Sequence, residues 1–247
     1  RMDGRAFHTF ARNLEKPSAS RMMASMCSVT TALVHETNAI VGYTQSDEIT
    51  LVWAPPKNLE GFWFGGRVQK MCGMLAATAT LEFYLQIEDR LGPKFAKRKP
   101  RFDARVWQVP NETEATNVLV WRENDAVKNS IMAQALSCVG HRKVLGKNQK
   151  EQLDLIHGAG ESWESQLAAF KRGSYVSRQR VSTPFTTEEV NALPERHHAR
   201  TNPELVVDRV VIKTLELPRI TTVVNRNDVI FRGAEPVVAE STECSVG

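Results

Sequence analysis

Residues 39–53, Ala39-Ile-Val-Gly-Tyr-Thr-Gln45-Ser46-Asp47-Glu48-Ile49-Thr-Leu51-Val-Trp53, hold two apolar runs around a polar tip. Ala39, Ile40 and Val41 lead in, and Ile49, Leu51 and Trp53 alternate on the way out. Pro55-Pro56 ends the pattern, which predicts a β-hairpin with acidic residues at its tip. Upstream, Met22, Met23, Met26, Val29, Thr30, Leu33 and Val34 recur at helical spacing. They predict a helix of about four turns with one apolar face, behind a Pro17-Ser18-Ala19-Ser20 cluster suited to an N-cap. The segment through Phe7 reads as a strand ending in a turn at Asp3-Gly4-Arg5.

Downstream of the hairpin, Gly65-Gly66 precedes a second long helix, from about Arg67 to Leu91. Its expected inner side carries Val68, Met71, Cys72, Leu75, Leu81 and Leu85. Lys94 to Arg101 reads as a basic loop, and 102–109 as a strand. The order β-α-β-β-α-β predicts a ferredoxin-like α+β fold. Helical segments fill 113–140 and 148–170. A polar linker follows at 182–204, with Pro184, Pro194 and Pro203. After it, β-branched residues predict strands at 206–212, 220–224 and 229–231. The expected division is one unit over 1–180 and a linker with a β-rich C-terminal extension, of unassigned role, over 181–247.

Of the 247 residues, 42% are hydrophobic and 24% charged, which excludes a disordered chain. No apolar run approaches the roughly 18 residues of a membrane span, so no membrane role is expected. The start lacks the apolar stretch of a signal peptide. It also lacks an initiator Met, and residues upstream are expected. Cys27, Cys72, Cys138 and Cys244 form no C-x-x-C pair and read as reduced thiols of a cytoplasmic protein. The net charge of +4 permits a nucleic-acid partner without requiring one.

In a β-α-β-β fold the first strand and the hairpin lie side by side. Asp3 ends the first and Asp47 tips the second, so the two carboxylates meet at one edge. Two carboxylates beside a glycine suit two Mg²⁺ ions about 4 Å apart, one activating a hydroxyl and the other clamping a triphosphate. Gly4 permits close backbone approach, and Arg5, Ala6, Phe7 and His8 could offer N–H groups to phosphate oxygens. Taken singly, Asp-Gly is common turn chemistry and Asp47-Glu48 a common solvated tip; the joint placement is the argument. His8 reads as packed under the strand or as a nucleotide contact. Arg67 and Lys70 share a helix face that is either solvated or phosphate-binding, and Lys171 and Arg172 carry the same ambiguity. Trp107 and Trp121 read as core residues rather than base platforms. The His197-His198 pair has no further ligand spacing and reads as no metal site.

RMDGRAFHTF, then EKPSASR, then GYTQSDEITLVW, resembles the tRNA-histidine guanylyltransferase family and its tRNA-repairing relatives, the 3′-to-5′ polymerases. The resemblance continues in RVQK (Arg67, Lys70), in FDARV from Phe102, in VWRENDAVKN from Val120 to Asn129, and in FKRGSY from Phe170. It covers about 1–180 and implies a polymerase-like palm with added helices. By this resemblance Asp3, the Gly4 carbonyl and Asp47 hold two Mg²⁺ ions, with Asp3 and Asp47 catalytic. Ser46, Glu48, His8 and Lys16 are implied on the nucleotide, and Arg67, Lys70, Asn129, Lys171 and Arg172 are candidates for tRNA or phosphate. The implied reaction adenylylates a tRNA 5′-monophosphate with ATP, and the 3′-hydroxyl of GTP or another NTP then attacks the activated end. The implied partners are tRNA, nucleoside triphosphates and further copies of the chain, as a tetramer.

Eukaryotic members carry H-I-N-N where this chain has Val127, Lys128, Asn129 and Ser130. The missing imidazole is more similar to bacterial, archaeal and phage relatives. Template-directed repair of truncated tRNA 5′ ends is therefore expected as much as G addition to tRNA-histidine. A palm-type nucleotide cyclase or oligonucleotide synthase, and a non-catalytic ferredoxin-like RNA-binding module, are the alternatives.

Overall fold

The computed structural model describes residues 1–14, 19–55, 59–202 and 204–239. Six antiparallel strands form one sheet in the order β4-β1-β3-β2-β5-β6. They are β1 (Met2–Gly4), β2 (Val41–Gln45), β3 (Glu48–Val52), β4 (Phe102–Ala104), β5 (Ser174–Pro184) and β6 (Val206–Leu215). After β1 come the short α1 (Phe7–Phe10) and the crossover helix α2 (Ser20–Thr37). The second crossover helix, α3 (Val68–Leu91), joins β3 to β4 by way of the short α4 (Pro93–Ala96). The first four strands and these crossovers are the expected β-α-β-β-α-β unit.

Both faces of the sheet are covered. Met2, Ile49, Leu51 and Val176 point into a core shared with Met26, Val29 and Leu33 of α2 and Leu75, Phe83 and Ile87 of α3. Gly42 lets α2 lie close: a Cβ there would stand 2.5 Å from the Thr30 methyl. Val41, Tyr43, Val52 and Tyr175 point the other way, against Leu119 of the long helix α5 (Glu112–Val139). Burial on two faces explains why the hairpin runs are nearly continuous in apolar residues. The C-terminal half of α5 packs with α6 (His141–Val144) and α7 (Gln149–Gly158) around Ile131 and Ile156. The last helix before β5 is α8 (Ala168–Arg172).

Several expectations need correction. The first strand ends at Gly4, and Phe7 opens α1 instead of closing a strand. The inner stripe of α3 is Met71, Leu75, Ala79, Phe83, Ile87 and Leu91, a strict i+4 row. Leu81 and Leu85 lie outside it, 58% and 56% exposed, and Val68 is also exposed. The small Ala79 holds the place assigned to larger side chains, because Phe83 and Phe102 already fill that layer. The basic stretch 94–101 begins inside α4. The strand from 102 spans Phe102–Ala104, shorter than expected, and Arg105 still exchanges backbone hydrogen bonds with Arg1. Trp107 and Trp121 are exposed, not core.

The polar stretch 182–204 contains the end of β5 and a capped helix, α9 (Thr187–Ala192). Residues 220–222 form a 3₁₀ turn, and Arg226–Arg232 is α10, not a strand. Ile220, Val223, Val229 and Ile230 are drawn against α5 and the sheet, and that packing overrides β propensity. Cys27, Cys72 and Cys138 are free thiols. Cys244, Pro203 and the Pro17-Ser18 part of the cap cluster lie outside the described residues. Among the described residues, no helix is long and apolar enough to cross a membrane.

Candidate active site

β1 and the β2–β3 turn end at the same edge of the sheet. Asp3 lies opposite Glu48 on the ladder, and the Gly4 N–H donates to the Asp47 carbonyl at 3.1 Å. The hairpin turn has two residues, Ser46 and Asp47, with Ser46 in the left-handed region at φ 51°. Such tight turns match the twist of the strands and carry their side chains outward from the ladder. A side chain on Gly4 is excluded for a different reason: a Cβ would stand 2.3 Å from the Phe7 ring.

Burial pushes the Asp47 carboxyl above the usual carboxylate range, and the nearby charges of Asp3 and Glu48 add to it. The Ser46 hydroxyl, 3.0 Å from Asp47 Oδ1, opposes that rise. The Arg1 guanidinium donates to Asp3 at 2.7 Å and lies 3.4 Å from Glu48. Glu48 itself faces inward. Arg122 on α5 grips it with Nε to Oε1 and Nη2 to Oε2, both at 2.6 Å, and reaches Asp125 at 3.1 Å. Asn129, one turn on, donates to Asp125 at 3.3 Å.

A cavity of about 570 Å³ opens over this edge. Asp3, Ser46, Asp47, Arg122, Asp125 and Asn129 line it, together with Phe7, His8 and Met22. The volume is that of a small-molecule site. The carboxylates of Asp3 and Asp47 are hard oxygen donors, whereas Gly4, expected beside them, is not among the residues that line the cavity. Among the described residues, no third His, Cys, Asp or Glu joins them in a metal-sized cluster. A cation there would draw its remaining ligands from substrate or water, as Mg²⁺ does.

Asp3, Phe7, His8, Ser46, Asp47, Glu48 and Asn129 are thus brought to one cavity. Ala6, at φ 56°, is the left-handed residue that starts α1. The Arg5 N–H is taken by the Arg101 carbonyl at 2.8 Å, so the expected row of free N–H groups cannot begin there. Lys16 lies outside the described residues. Arg67 and Lys70 are exposed at the start of α3 and do not line this cavity. Arg67 donates to the Phe64 carbonyl, and the Lys70 ammonium sits 4.8 Å from the centre of the Phe64 ring. Ala169 and Phe170 reach the cavity, but Lys171 and Arg172 after them turn away. Lys171 donates to the Glu164 carbonyl, and Arg172 to the Leu217 carbonyl at 3.2 Å.

Sequence reasoning assigned no role to Arg122 or Asp125. The signal was present: Arg122 interrupts the apolar row of α5 between Leu119 and Ala126. A charged residue in such a row needs a buried partner.

Residues 1–110 match the family model for tRNAHis guanylyltransferase. An uncharacterized protein of Acanthamoeba polyphaga mimivirus is 26% identical over 205 residues, 74% of this chain and 70% of that protein. A bacterial tRNAHis guanylyltransferase-like protein solved in complex with ATP is similar at a TM-score of 0.66 and 28% identity, over 71% of this chain and 77% of that one. Two further solved structures share the fold. A bacterial tRNAHis guanylyltransferase-like protein in complex with GTP has a TM-score of 0.64 at 23% identity, over 89% of this chain and 82% of that one. The tRNAHis guanylyltransferase of Saccharomyces cerevisiae has a TM-score of 0.63 at 22% identity, over 71% and 82%.

Proposed function

We propose that the chain is a tRNAHis guanylyltransferase-like nucleotidyltransferase that adds nucleotides in the 3′-to-5′ direction to the 5′ end of tRNA. The observation that carries the reading is that Asp3 and the half-buried hairpin-tip Asp47 line one nucleotide-sized cavity. Asp3, the Gly4 carbonyl and Asp47 are the proposed holders of two Mg²⁺ ions. The fit rests on charge: burial and neighbouring carboxylates disfavour the ionised Asp47, and a cation between the carboxylates relieves that. When bound, the ions supply a more acidic attacking hydroxyl and a neutralised triphosphate.

The chain's own residues do the positioning. Arg1 fixes the Asp3 carboxylate, and Ser46 orients that of Asp47. Arg122 anchors Glu48 and with it the start of β3, directly after Asp47. His8 and Asn129 face the cavity and are the proposed nucleotide contacts. ATP activates a 5′-monophosphate end by adenylylation: the end's phosphate oxygen attacks the α-phosphorus of ATP and pyrophosphate leaves. The 3′-hydroxyl of GTP or another NTP then displaces AMP, or displaces pyrophosphate where the end already carries a triphosphate. Both are in-line displacements, governed by positioning and charge neutralisation. In this proposal 1–180 is the palm-type catalytic unit and 181–247 an extension that braces it. A homo-oligomeric assembly and a cytoplasmic setting belong to the same reading.

The test uses a tRNA with a 5′-monophosphate and no first nucleotide, incubated with ATP, Mg²⁺ and each NTP in turn. Extension only by the NTP complementary to the opposing base means templated repair. G addition whatever the opposing base means guanylylation of the tRNAHis type. Asp47→Ala should reduce either by at least about a hundredfold. Its melting temperature should not fall, because the native state disfavours that charge. Wild-type extension that survives Asp47→Ala sinks the two-carboxylate assignment.

A further inference from the structure

α3 covers the sheet with the row from Met71 to Leu91, and its opposite side is apolar as well. Met74, Leu81, Tyr84 and Leu85 are all exposed there. The outer row runs Lys70, Met74, Ala77, Leu81, Tyr84 and Glu88, in alternating steps of four and three. That is the a/d period of a helix packed along a second helix. The row covers about 27 Å of helix, enough for a two-helix seam. A continuous apolar stripe of this kind marks a contact surface, whereas single exposed apolar residues do not.

The same side carries a glycine and two charges that α3 alone does not explain. Gly73 lies inside the helix, and a Cβ there would meet nothing within 4 Å. Glycine weakens a helix interior relative to alanine, so close approach by something outside the described residues is the physical reason to have one. Lys70 stands in the first turn of α3 and Glu88 in the last, both exposed. Each opposes the partial charge at its own end of the helix.

An antiparallel copy of α3 on this stripe accounts for all three. It sets Lys70 against the partner's Glu88, Met74 against the partner's Tyr84 and Ala77 against the partner's Leu81. Gly73 then faces the partner's Leu85, so the two smallest residues receive the two leucines. The arrangement is two-fold, so an ion pair forms at each end of the seam. A parallel copy would set Lys70 on Lys70 and Glu88 on Glu88. Charge therefore selects the antiparallel packing, and a two-fold contact closes on itself.

We propose that the outer face of α3 docks a second copy of this chain, packed antiparallel along α3 about a two-fold axis. This deepens the homo-oligomeric part of the proposed function by naming the face, and it does not depend on the chemistry at Asp47.

The test is sedimentation equilibrium of the full chain, without RNA or nucleotide. Wild type should be a dimer or a multiple of one at micromolar concentration. Leu81→Glu with Leu85→Glu should weaken association at least about a hundredfold. Both side chains are exposed in a single copy, so the circular dichroism spectrum should stay that of wild type. Lys70→Glu and Glu88→Lys should each weaken association about tenfold, and the two together should restore it, because the exchanged charges meet again across the axis. Gly73→Met should weaken association although it improves the helix. Val210→Glu, on the exposed edge strand β6, should change it by less than about twofold. A monomeric wild type overturns the proposal, as does an oligomer indifferent to the paired leucine substitutions. Charge substitutions whose losses add instead of cancelling overturn the antiparallel arrangement. Dissociation by Val210→Glu alone would move the interface to β6 and overturn the proposal. If the leucine variant fails to fold, the charge exchange decides the matter. A dimer that fails to extend tRNA would leave this surface standing and overturn only the proposed function, and extension by a monomer would do the reverse.

Discussion

Arg122 and Glu48 are each 6% exposed and meet fork to fork, with both N–O distances at 2.6 Å. Bidentate geometry is the strong form of such a pair, but its net worth is small, because both ions have left water. Losing one partner is another matter, since the survivor stays buried and charged. Arg122→Met should therefore cost about 3–5 kcal/mol in urea unfolding, toward the lower figure because Arg1 lies within reach of Glu48. Adding Glu48→Gln to that variant should recover part of the loss. Equal stabilities for the single and double variants would contradict the coupling. Nucleotide addition should fall with Arg122→Met even at temperatures where the protein stays folded, because β3 starts at the residue that Arg122 holds. Nothing in the hairpin alone distinguishes Glu48 from Asp47, since two acidic residues at a tip look equally solvated. The difference appears only when β1 pairs with β3 and α5 covers that face, which are long-range events.

At the scale of elements, the junction between α8 and β5 is set by Gly173, at φ 76° and ψ −171°. That backbone region is open in practice to glycine alone. Space is closed as well, because a Cβ would meet the Thr44 carbonyl at 2.5 Å and the Tyr43 hydroxyl at 2.6 Å. That hydroxyl donates to the Arg172 carbonyl at 2.8 Å, tying α8 to β2. Gly173→Ala should cost about 3 kcal/mol or more, measured by denaturant unfolding. It should also lower the proposed nucleotide addition, because Ala169 and Phe170 of α8 line the candidate active-site cavity. A loss below about 1 kcal/mol would mean the junction yields more easily than its contacts imply. The elements legible in the sequence were those with a strong period and a single environment: α2, the β2–β3 hairpin and the extent of α3. The inner face of α3 was misread because large apolar side chains outweigh an alanine in any pattern. Ala79 is inside because Phe83 and Phe102 leave room only for a methyl, whereas Leu81 and Leu85 stay outside. Residues 220–231 were misread as strands because β-branching is a preference for packed surfaces, and α5 offers such a surface to a turn and a helix.

Across the whole molecule, the C-terminal segment is bound to residues 1–180 in two ways. β5 crosses residue 180 without interruption, pairing with β2 on one side and β6 on the other. Beyond β6, the chain folds back onto α5. There the carboxyl of Glu123, 1% exposed, accepts the Ile220 N–H at 2.8 Å and the Tyr175 hydroxyl at 3.0 Å. Arg219 reaches Asn124, Asn227 reaches Thr113, and Arg232 pairs with Glu112 along the same helix. Burial pushes the Glu123 carboxyl above its ordinary range, with the Ile220 N–H, the Tyr175 hydroxyl and the charges of Arg172 and Arg219 pulling it partly back. A carboxyl raised on folding favours the native state through its protonated form. Its contribution is complete below the ordinary glutamate pKa and is lost as pH rises through the native value. Glu123→Gln keeps an oxygen for Ile220 and an amide for the Tyr175 oxygen, and carries no charge to bury. Its melting temperature should therefore match that of wild type in acid and exceed it once pH passes the carboxylate range, with the gap widening until Glu123 is fully ionised. A gap of the opposite sign at neutral pH would mean that Arg172 and Arg219 outweigh burial and hold Glu123 as an ion. Limited proteolysis follows the same linkage. Release of the segment after β6 should quicken with rising pH in wild type and stay level in Glu123→Gln, because the bond that breaks first is the one that carries the buried charge.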